Sequence, residues 1–382
     1  MPQNPSSGVS AVVLAAGMSK RMGSPKQLLR MGGRTLLQIA LETLTQSRVQ
    51  EIVVVLGASE DAIRREVALD GAKVVANEAY REGMGTSLRV GLEAVDPRAG
   101  TALVVLADQP FLRSSTINEL IEQHRKRQPQ IVIPLYRGFR GNPVLLDRSV
   151  FPELAGLSGD IGCRAIFGSH TENILKVPVN DPGILLDVDT KADFESLSEA
   201  HSQGAYGPAL PETIETGGRE PPAGRPQLVI VGQEAVGLSL IKLGRLLHYI
   251  VVVVDPFLRI ADVPEADRVL HVLDFSCLPT AAATYVAVAS RGRFDEEAIE
   301  QGLAAGAEYI ALIANKKRGQ EILAGLRQKG IAEERLAALR APAGLAIGAE
   351  SPEEIALSVM AEIVSEHSRR APRDAGRRTR TD

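Results

Sequence analysis

The sequence predicts an α/β protein built from two doubly wound domains. The chain is 382 residues long, more than one hydrophobic core usually organises. Short β-branched runs alternate with amphipathic stretches of helical spacing, the pattern of βαβ units on a mainly parallel sheet. That alternation stops near Glu199 and resumes near Leu228, across a Pro- and Gly-rich stretch without hydrophobic periodicity.

In the first half, Ser10–Leu14, Glu51–Leu56, Lys73–Val75, Thr101–Leu106 and Ile131–Pro134 read as buried strands. Between them Thr35–Gln46, Glu60–Ala68, Thr86–Ala94 and Ser114–Arg127 have helical spacing. The first domain is expected over 9–200. "SQGAYGPALPETIETGGREPPAGRPQ" then reads as a linker over 201–226. A second series follows: strand Leu228–Val231, helix Ala235–Leu247, and strands Tyr249–Val254, Thr284–Ala289 and Tyr309–Ile313. A helix from Pro352 to about Glu366 closes this domain, expected over 227–366. The remaining 367–382 reads as a basic, disordered tail.

Apolar residues make up 45 % and charged residues 24 % of the chain, ordinary for a globular protein. The net charge of −4 argues against nucleic acid or an anionic membrane as the main partner, so any anion site must be local. Cys163 and Cys277 have neither pairing nor zinc-ligand spacing and read as reduced thiols. The start, "MPQNPSSGVS", lacks a basic-then-apolar signal pattern. Apolar runs such as Tyr249–Val254 fall far short of the ~20 residues that span a bilayer. A cytoplasmic location, with no nucleic acid or membrane partner and a possible homo-oligomer, is the expectation.

"VVLAAGMSKRMGSPKQLL" (Val12–Leu29) runs a buried strand into a loop of glycines and cations. In open α/β sheets ligands bind beyond the carboxyl ends of strands. Gly17 can take a positive φ and turn backbone N–H groups towards an anion. Lys20, Arg21 and Lys26 add positive charge, and Gly23 and Pro25 bring Lys26 back. A solvated loop with incidental cations is the alternative, and the spacing is not that of a Walker P-loop. "TALVVLADQPFL" is a strand whose end is expected to release Asp108 into solvent at the same edge. A carboxylate beside a phosphate loop suits Mg²⁺, which takes one or two carboxylates plus phosphate oxygens; a turn-forming Asp before Pro110 is the plainer alternative. "LLDVDTKADF" adds Asp187 and Asp189, and Asp189 reads equally as a metal ligand or a helix N-cap.

Together these stretches resemble the molybdenum cofactor cytidylyltransferase family of nucleotidyltransferases over about residues 9–200. "LAAGMSKRMGSPKQLL" matches that family's first motif without a gap. "NEAYREGMGTSLRVGL", "LADQPFL", "GNPVLL", "LSGDIGCRAIF" and "LLDVDT" are further matches. The resemblance implies that Leu14, Ala15, Ala16, Gly17, Arg21 and Lys26 hold a nucleoside triphosphate, CTP. It implies that Asp108 carries Mg²⁺, with Asp189 as a possible second ligand. Catalysis would rest on Arg21, Lys26 and Asp108. Asn77, Gly83 and Ser87 would border the base, and Gly159, Asp160 and Arg164 would face the acceptor, molybdopterin or molybdenum cofactor. Asn142 stands where the family often has His, which bears on the acceptor contacts.

The second half resembles the C-terminal Rossmann-like domain of the xanthine dehydrogenase accessory protein family, over about 226–366. "APAGLAIGAESPEEIALSVMAEIV" carries that match best, and it implies a domain that holds cofactor or hands it to a molybdenum hydroxylase. "LVIVGQEAVG" (Leu228–Gly237), with Asp255 ending the next strand, has the layout of a dinucleotide turn. Its sequence, however, is G-x-E-x-x-G. Glu234 is expected to oppose a pyrophosphate by bulk and by like charge, so weak NAD(P) binding is predicted. "NKKRG" (Asn315–Gly319) reads as a further anion site.

Overall fold

The computed structural model describes residues 8–19, 22–157, 159–203, 212–218 and 224–370. It divides into two compact units at residue 210, and both are α/β.

In the first unit the main strands are β1 (Val9–Leu14), β2 (Glu51–Leu56), β3 (Lys73–Ala76), β4 (Thr101–Leu106), β5 (Ile131–Tyr136), β6 (Val144–Asp147) and β7 (Ile174–Pro178). They lie in the order β7-β5-β6-β4-β1-β2-β3. The valine-rich strand β1 sits at the centre, parallel to β2 and β4, with Val12 opposite Val53 and Val104. Such a strand is buried on both faces, which is why it reads as a continuous apolar run rather than an alternating one. Val12, Val53, Leu88, Val104, Ile131 and Leu146 meet in one core. The helices of this unit include α1 (Leu36–Thr45), α2 (Glu60–Glu66), α3 (Met84–Glu93), α4 (Ser114–Arg127) and α5 (Lys191–Ser202).

β6 departs from the expected parallel pattern. It pairs antiparallel with both β4 and β5, wedged between two strands that the sequence reading would make neighbours. After β5 the chain turns at Arg137 and Gly138, both with positive φ, and reverses through "GNPVLL". That run is too short for its period to distinguish strand from loop.

The second unit contains β8 (Ile214–Thr216), β9 (Gln227–Val231), β10 (Ile250–Val254), β11 (Arg268–Leu270), β12 (Thr284–Val288), β13 (Tyr309–Leu312) and β14 (Leu339–Arg340). Their order is β8-β11-β10-β9-β12-β13-β14. Apart from β8, which is antiparallel to β11, the sheet is parallel and follows the Rossmann order 3-2-1-4-5-6. Helices α6 (Ala235–Leu246), α7 (Asp295–Ala304), α8 (Lys316–Gln328) and α9 (Pro352–Arg370) cover it.

Two boundaries differ from expectation. Within the stretch read as a linker, Ile214–Thr216 is a strand, held because Ile214 pairs with Leu270 and Glu215 accepts a hydrogen bond from the Ile260 N–H at 2.7 Å. The last helix runs past Glu366 into the stretch read as tail. There His367 packs edge-on against Tyr249 and Tyr285, and its Nδ1 lies 2.8 Å from the Tyr285 hydroxyl. The residues beyond 370 lie outside the described residues. Among the described residues no helix is long and apolar enough to cross a membrane.

Candidate active site

The carboxyl ends of β1 and β4 form the edge where the first unit's charged residues meet. Leu14 ends β1, and the buried Ala15 and Ala16 continue it, with the Ala15 N–H donating to the Val55 carbonyl at 3.0 Å. Gly17 is exposed and does not take the positive φ expected of it; Ser19 (φ 50°) and Gly23 (φ 71°) do. A Cβ at Gly17 would meet nothing within 4 Å, so the space beside it is open. Lys20 and Arg21 lie outside the described residues.

Ser19 Oγ accepts the Lys26 N–H at 3.0 Å, and this closes the loop. Gln27, only 2 % exposed, donates its side-chain amide to the carbonyls of Ala15 at 2.9 Å and Gly17 at 3.2 Å. One buried amide therefore ties the outgoing and returning arms together. That leaves Lys26, the residue before it, aimed at the end of β4.

The Lys26 ammonium bonds Asp108 Oδ2 and lies 3.1 Å from Asp189 Oδ1. Burial opposes the charged ammonium, but the two carboxylates outweigh it and hold the lysine pKa above its ordinary value. Asp108 is 8 % exposed rather than released into solvent. The residues that follow it, as far as Leu112, are themselves buried apart from Pro110. Asp189 reaches the same point because the Val188 N–H donates to the Asp108 carbonyl at 3.0 Å. Gln109, buried beside it, donates to Ile184 O at 3.0 Å and Asp187 Oδ1 at 2.6 Å. The N-cap of α5 is Thr190, in a reciprocal capping box with Asp193, so the Asp189 carboxylate is not spent as a cap.

Asp108 Oδ1 is buried and has no hydrogen-bond donor among the described residues. A cation would supply what that oxygen lacks. Two carboxylates meet here, and no group of three potential metal ligands exists among the described residues. The donor set therefore fits Mg²⁺ held jointly by protein carboxylates and substrate phosphates, rather than a cage made wholly of protein.

Asn77 is buried and donates to Thr86 Oγ1 at 2.9 Å and Ser87 Oγ at 2.8 Å, while its Oδ1 accepts from Ala79 N–H at 3.0 Å. Its carboxamide holds the loop against the start of α3, where Thr86 and Ser87 are both buried. Gly83 (φ 110°) packs so tightly that a Cβ would lie 2.2 Å from the Gly159 carbonyl carbon. The Gly85 N–H donates to Gly159 O at 2.9 Å, and Gly159 N–H to Glu82 O at 2.8 Å. The loop expected at the base and the turn expected at the acceptor are thus one clasp, with Asp160 exposed on its outside. Arg164 is exposed on the short helical turn Cys163–Ile166. Asn142 donates its N–H to Ile184 O at 3.1 Å, on the segment that leads to Asp187 and Asp189.

Gln27 and Gln109 are the residues sequence reasoning missed. Both stand inside recognised motifs, next to Lys26 and Asp108, but an uncharged amide announces no chemistry. Only its burial and its acceptors reveal the clamp.

The equivalent edge of the second unit is built differently. Gly232 (φ 98°) turns β9 into α6, and a Cβ there would lie 2.8 Å from Ala289 O. Glu234 precedes α6 and pairs with Arg291, Oε2 to Nε 3.0 Å, an exposed contact that lessens the expected like-charge repulsion of a pyrophosphate. Asp255, 3 % exposed, accepts the N–H groups of Phe257 and Leu258, both at 3.0 Å. Burial pushes its pKa up despite those two bonds. Within "NKKRG", Asn315 caps α8 by accepting the Arg318 N–H at 2.9 Å. Arg318 lies 3.7 Å from the buried Asp295.

Residues 11–174 match the family described as the MobA-like NTP transferase domain, and residues 228–363 match the XdhC Rossmann domain. The nicotine blue oxidoreductase of Paenarthrobacter nicotinovorans is 34 % identical over 191 residues, 48 % of this chain and 92 % of that protein. The uncharacterized protein YqeB of Escherichia coli K12 is 33 % identical over 147 residues; the match spans 37 % of this chain and 27 % of YqeB. Among solved structures, a homolog of Mycobacterium tuberculosis rv0371c from mycobacterium sp. strain JC1 is 35 % identical with a TM-score of 0.48. That match covers 51 % of this chain and 97 % of the other. A manganese complex of Rv0371C from Mycobacterium tuberculosis H37Rv is 34 % identical, covers 50 % and 98 % of the two chains, and has a TM-score of 0.45.

Proposed function

The chain belongs to the MobA-like NTP transferase family, a nucleotidyltransferase carrying an XdhC Rossmann domain, and on that premise we propose that it transfers CMP from CTP to molybdopterin or molybdenum cofactor. The products are the cytosine dinucleotide form of the cofactor and pyrophosphate. The C-terminal domain then holds the product or delivers it to a molybdenum hydroxylase. The observation that carries this reading is the convergence of Lys26, Asp108 and Asp189 at the ends of β1 and β4, beside the open space at Gly17.

The acceptor's phosphate oxygen attacks the α-phosphorus of CTP. A new P–O bond forms, the α–β P–O bond breaks, and its electrons leave with pyrophosphate. The attacking group is already an anion, so no general base is needed, in keeping with the absence of His from the sequence motifs that form this edge. Lys26 neutralises charge that builds on the phosphoryl oxygens, and preorganised charge of this kind is usually the largest catalytic contribution. Asp108 and Asp189 would hold Mg²⁺, which when bound supplies further charge neutralisation on the triphosphate. The clasp of Gly83 on Gly159 sets the base side and the acceptor side at a fixed distance, which is how positioning lowers such a barrier.

The test is pyrophosphate release with each of the four nucleoside triphosphates and Mg²⁺, with and without molybdopterin. Release with CTP that requires the pterin is the expected result. Preference for GTP, or release with a sugar phosphate instead, would assign a different transfer, and nucleotide binding without release would make this a carrier. Because one relative is named an oxidoreductase, NAD(P)H consumption is measured in parallel; none is expected.

A further inference from the structure

In this structure the Lys26 ammonium stands between the carboxylates of Asp108 and Asp189, in contact with both. Mg²⁺ bound by those carboxylates would need oxygens at about 2.0–2.1 Å. An ammonium in the gap and a divalent ion at that distance exclude each other, by size and by like charge. Lys26 is free to leave: it sits on a three-residue turn, Lys26–Leu28, and its stem has four rotatable bonds. Asp108 is not, because the strand end holds it and it is 8 % exposed.

We propose that Lys26 is the resident counter-ion of the carboxylate pair, displaced only when a triphosphate arrives with its metal. The incoming phosphates draw the ammonium across the loop towards Gly17, and the metal takes the two oxygens it vacates, Oδ2 of Asp108 and Oδ1 of Asp189, with the donorless Oδ1 of Asp108 beside them. Metal and nucleotide then enter as one unit, each raising the affinity for the other by the same factor. Without nucleotide the lysine spares two neighbouring carboxylates their mutual repulsion and keeps stray divalent ions out. The inference rests on Asp108 and Asp189 being the metal's carboxylates, but not on which base or acceptor is used.

Mn²⁺ binding to the full chain, followed by the loss of the free-ion electron paramagnetic resonance signal, tests this without turnover. The wild-type protein is expected to bind Mn²⁺ weakly when alone, and at least 10-fold more tightly with a CTP analogue whose α–β bridge is methylene. Lys26→Met, without nucleotide, is expected to bind Mn²⁺ at least 10-fold more tightly than wild type. Lys26→Arg, which keeps a cation in the gap, should stay weak. Equal Mn²⁺ affinity in wild type and Lys26→Met would overturn the proposal, as would tight binding by wild type alone. If Lys26→Met fails to fold, Lys26→Gln takes its place with the same two outcomes. A protein that passes this test yet transfers no nucleotide would contradict the proposed reaction and leave the counter-ion role standing.

Discussion

Both units end their central parallel strands at a glycine-containing turn, yet the two edges treat charge in opposite ways. In the first unit a lysine and two carboxylates from distant parts of the chain are drawn to one point, and one buried oxygen is left without a donor. In the second unit much of the charge at the edge is paired close at hand, while Lys316 and Lys317 stand exposed. Glu234 pairs with Arg291, Asp255 takes the N–H groups of its own loop, and Arg318 faces Asp295. A Rossmann strand order by itself therefore does not decide what an edge binds; that depends on the groups placed there.

The largest effect that would sharpen this contrast is expected at Lys26. Lys26→Ala should lower transfer at saturating CTP by about 10²–10³-fold, the usual cost of one preorganised charge. Near-normal turnover in that variant would reduce Lys26 to a surface charge and erase the difference between the edges. The ion pair also has a pH signature. Its pKa is raised above the ordinary 10.5, so its contribution to stability is fully present below that value and lost only as pH rises through the higher folded value. The melting-temperature difference between wild type and Lys26→Ala should therefore stay constant from pH 7 to 9 when followed by circular dichroism.

A smaller effect is expected in the second unit. The full chain should bind NAD and NADP no more tightly than about millimolar by calorimetry. Glu234→Gly should improve this by less than roughly 10-fold, because Arg291 already screens the carboxylate and the interaction is partly solvated. Micromolar binding in the wild type, lost on Gly232→Val, would show that this edge is a working dinucleotide site.

The smallest effect separates the two cysteines. Cys163, buried in the first core, has its thiol pushed up to about 12 by burial, whereas Cys277 is only partly covered. At pH 8 a disulfide-exchange reagent should label one thiol per native chain, Cys277. Fast reaction of both would mean that the core around Cys163 opens.

Asp108 is legible in the sequence because a charge that ends an apolar run stands out and strand ends in such sheets face the ligand edge, and Lys26 because it returns on a glycine-containing loop after such a strand, whereas Asp189 reads equally as a cap. The strand framework is legible for the same reason: Val12–Leu14 and Val251–Val254 are too uniformly apolar to lie anywhere but inside. The reversal at β6 is not legible, because a four-residue run has no usable period. The two glutamine clamps are hidden as well, since their role is set by which carbonyls the fold brings within reach. The partner of Glu234 is hidden for a related reason. A charge repels only if it is unpaired, and Arg291, 57 residues on in the sequence, is not a neighbour that spacing reveals.

Under the proposed function the α-phosphoryl group of CTP is transferred at the first unit's edge, and the fate of that group under single turnover is the most direct measure. The full chain is mixed with α-³²P-labelled CTP, Mg²⁺ and excess molybdopterin, and the quenched products are separated. Label is expected in a pterin dinucleotide, with unlabelled pyrophosphate released in equal amount, and both products are expected to form about 10²–10³-fold more slowly with Lys26→Ala. Label remaining in CTP, appearing as free CMP, or passing to the pterin undiminished in the Lys26→Ala protein would contradict this expectation.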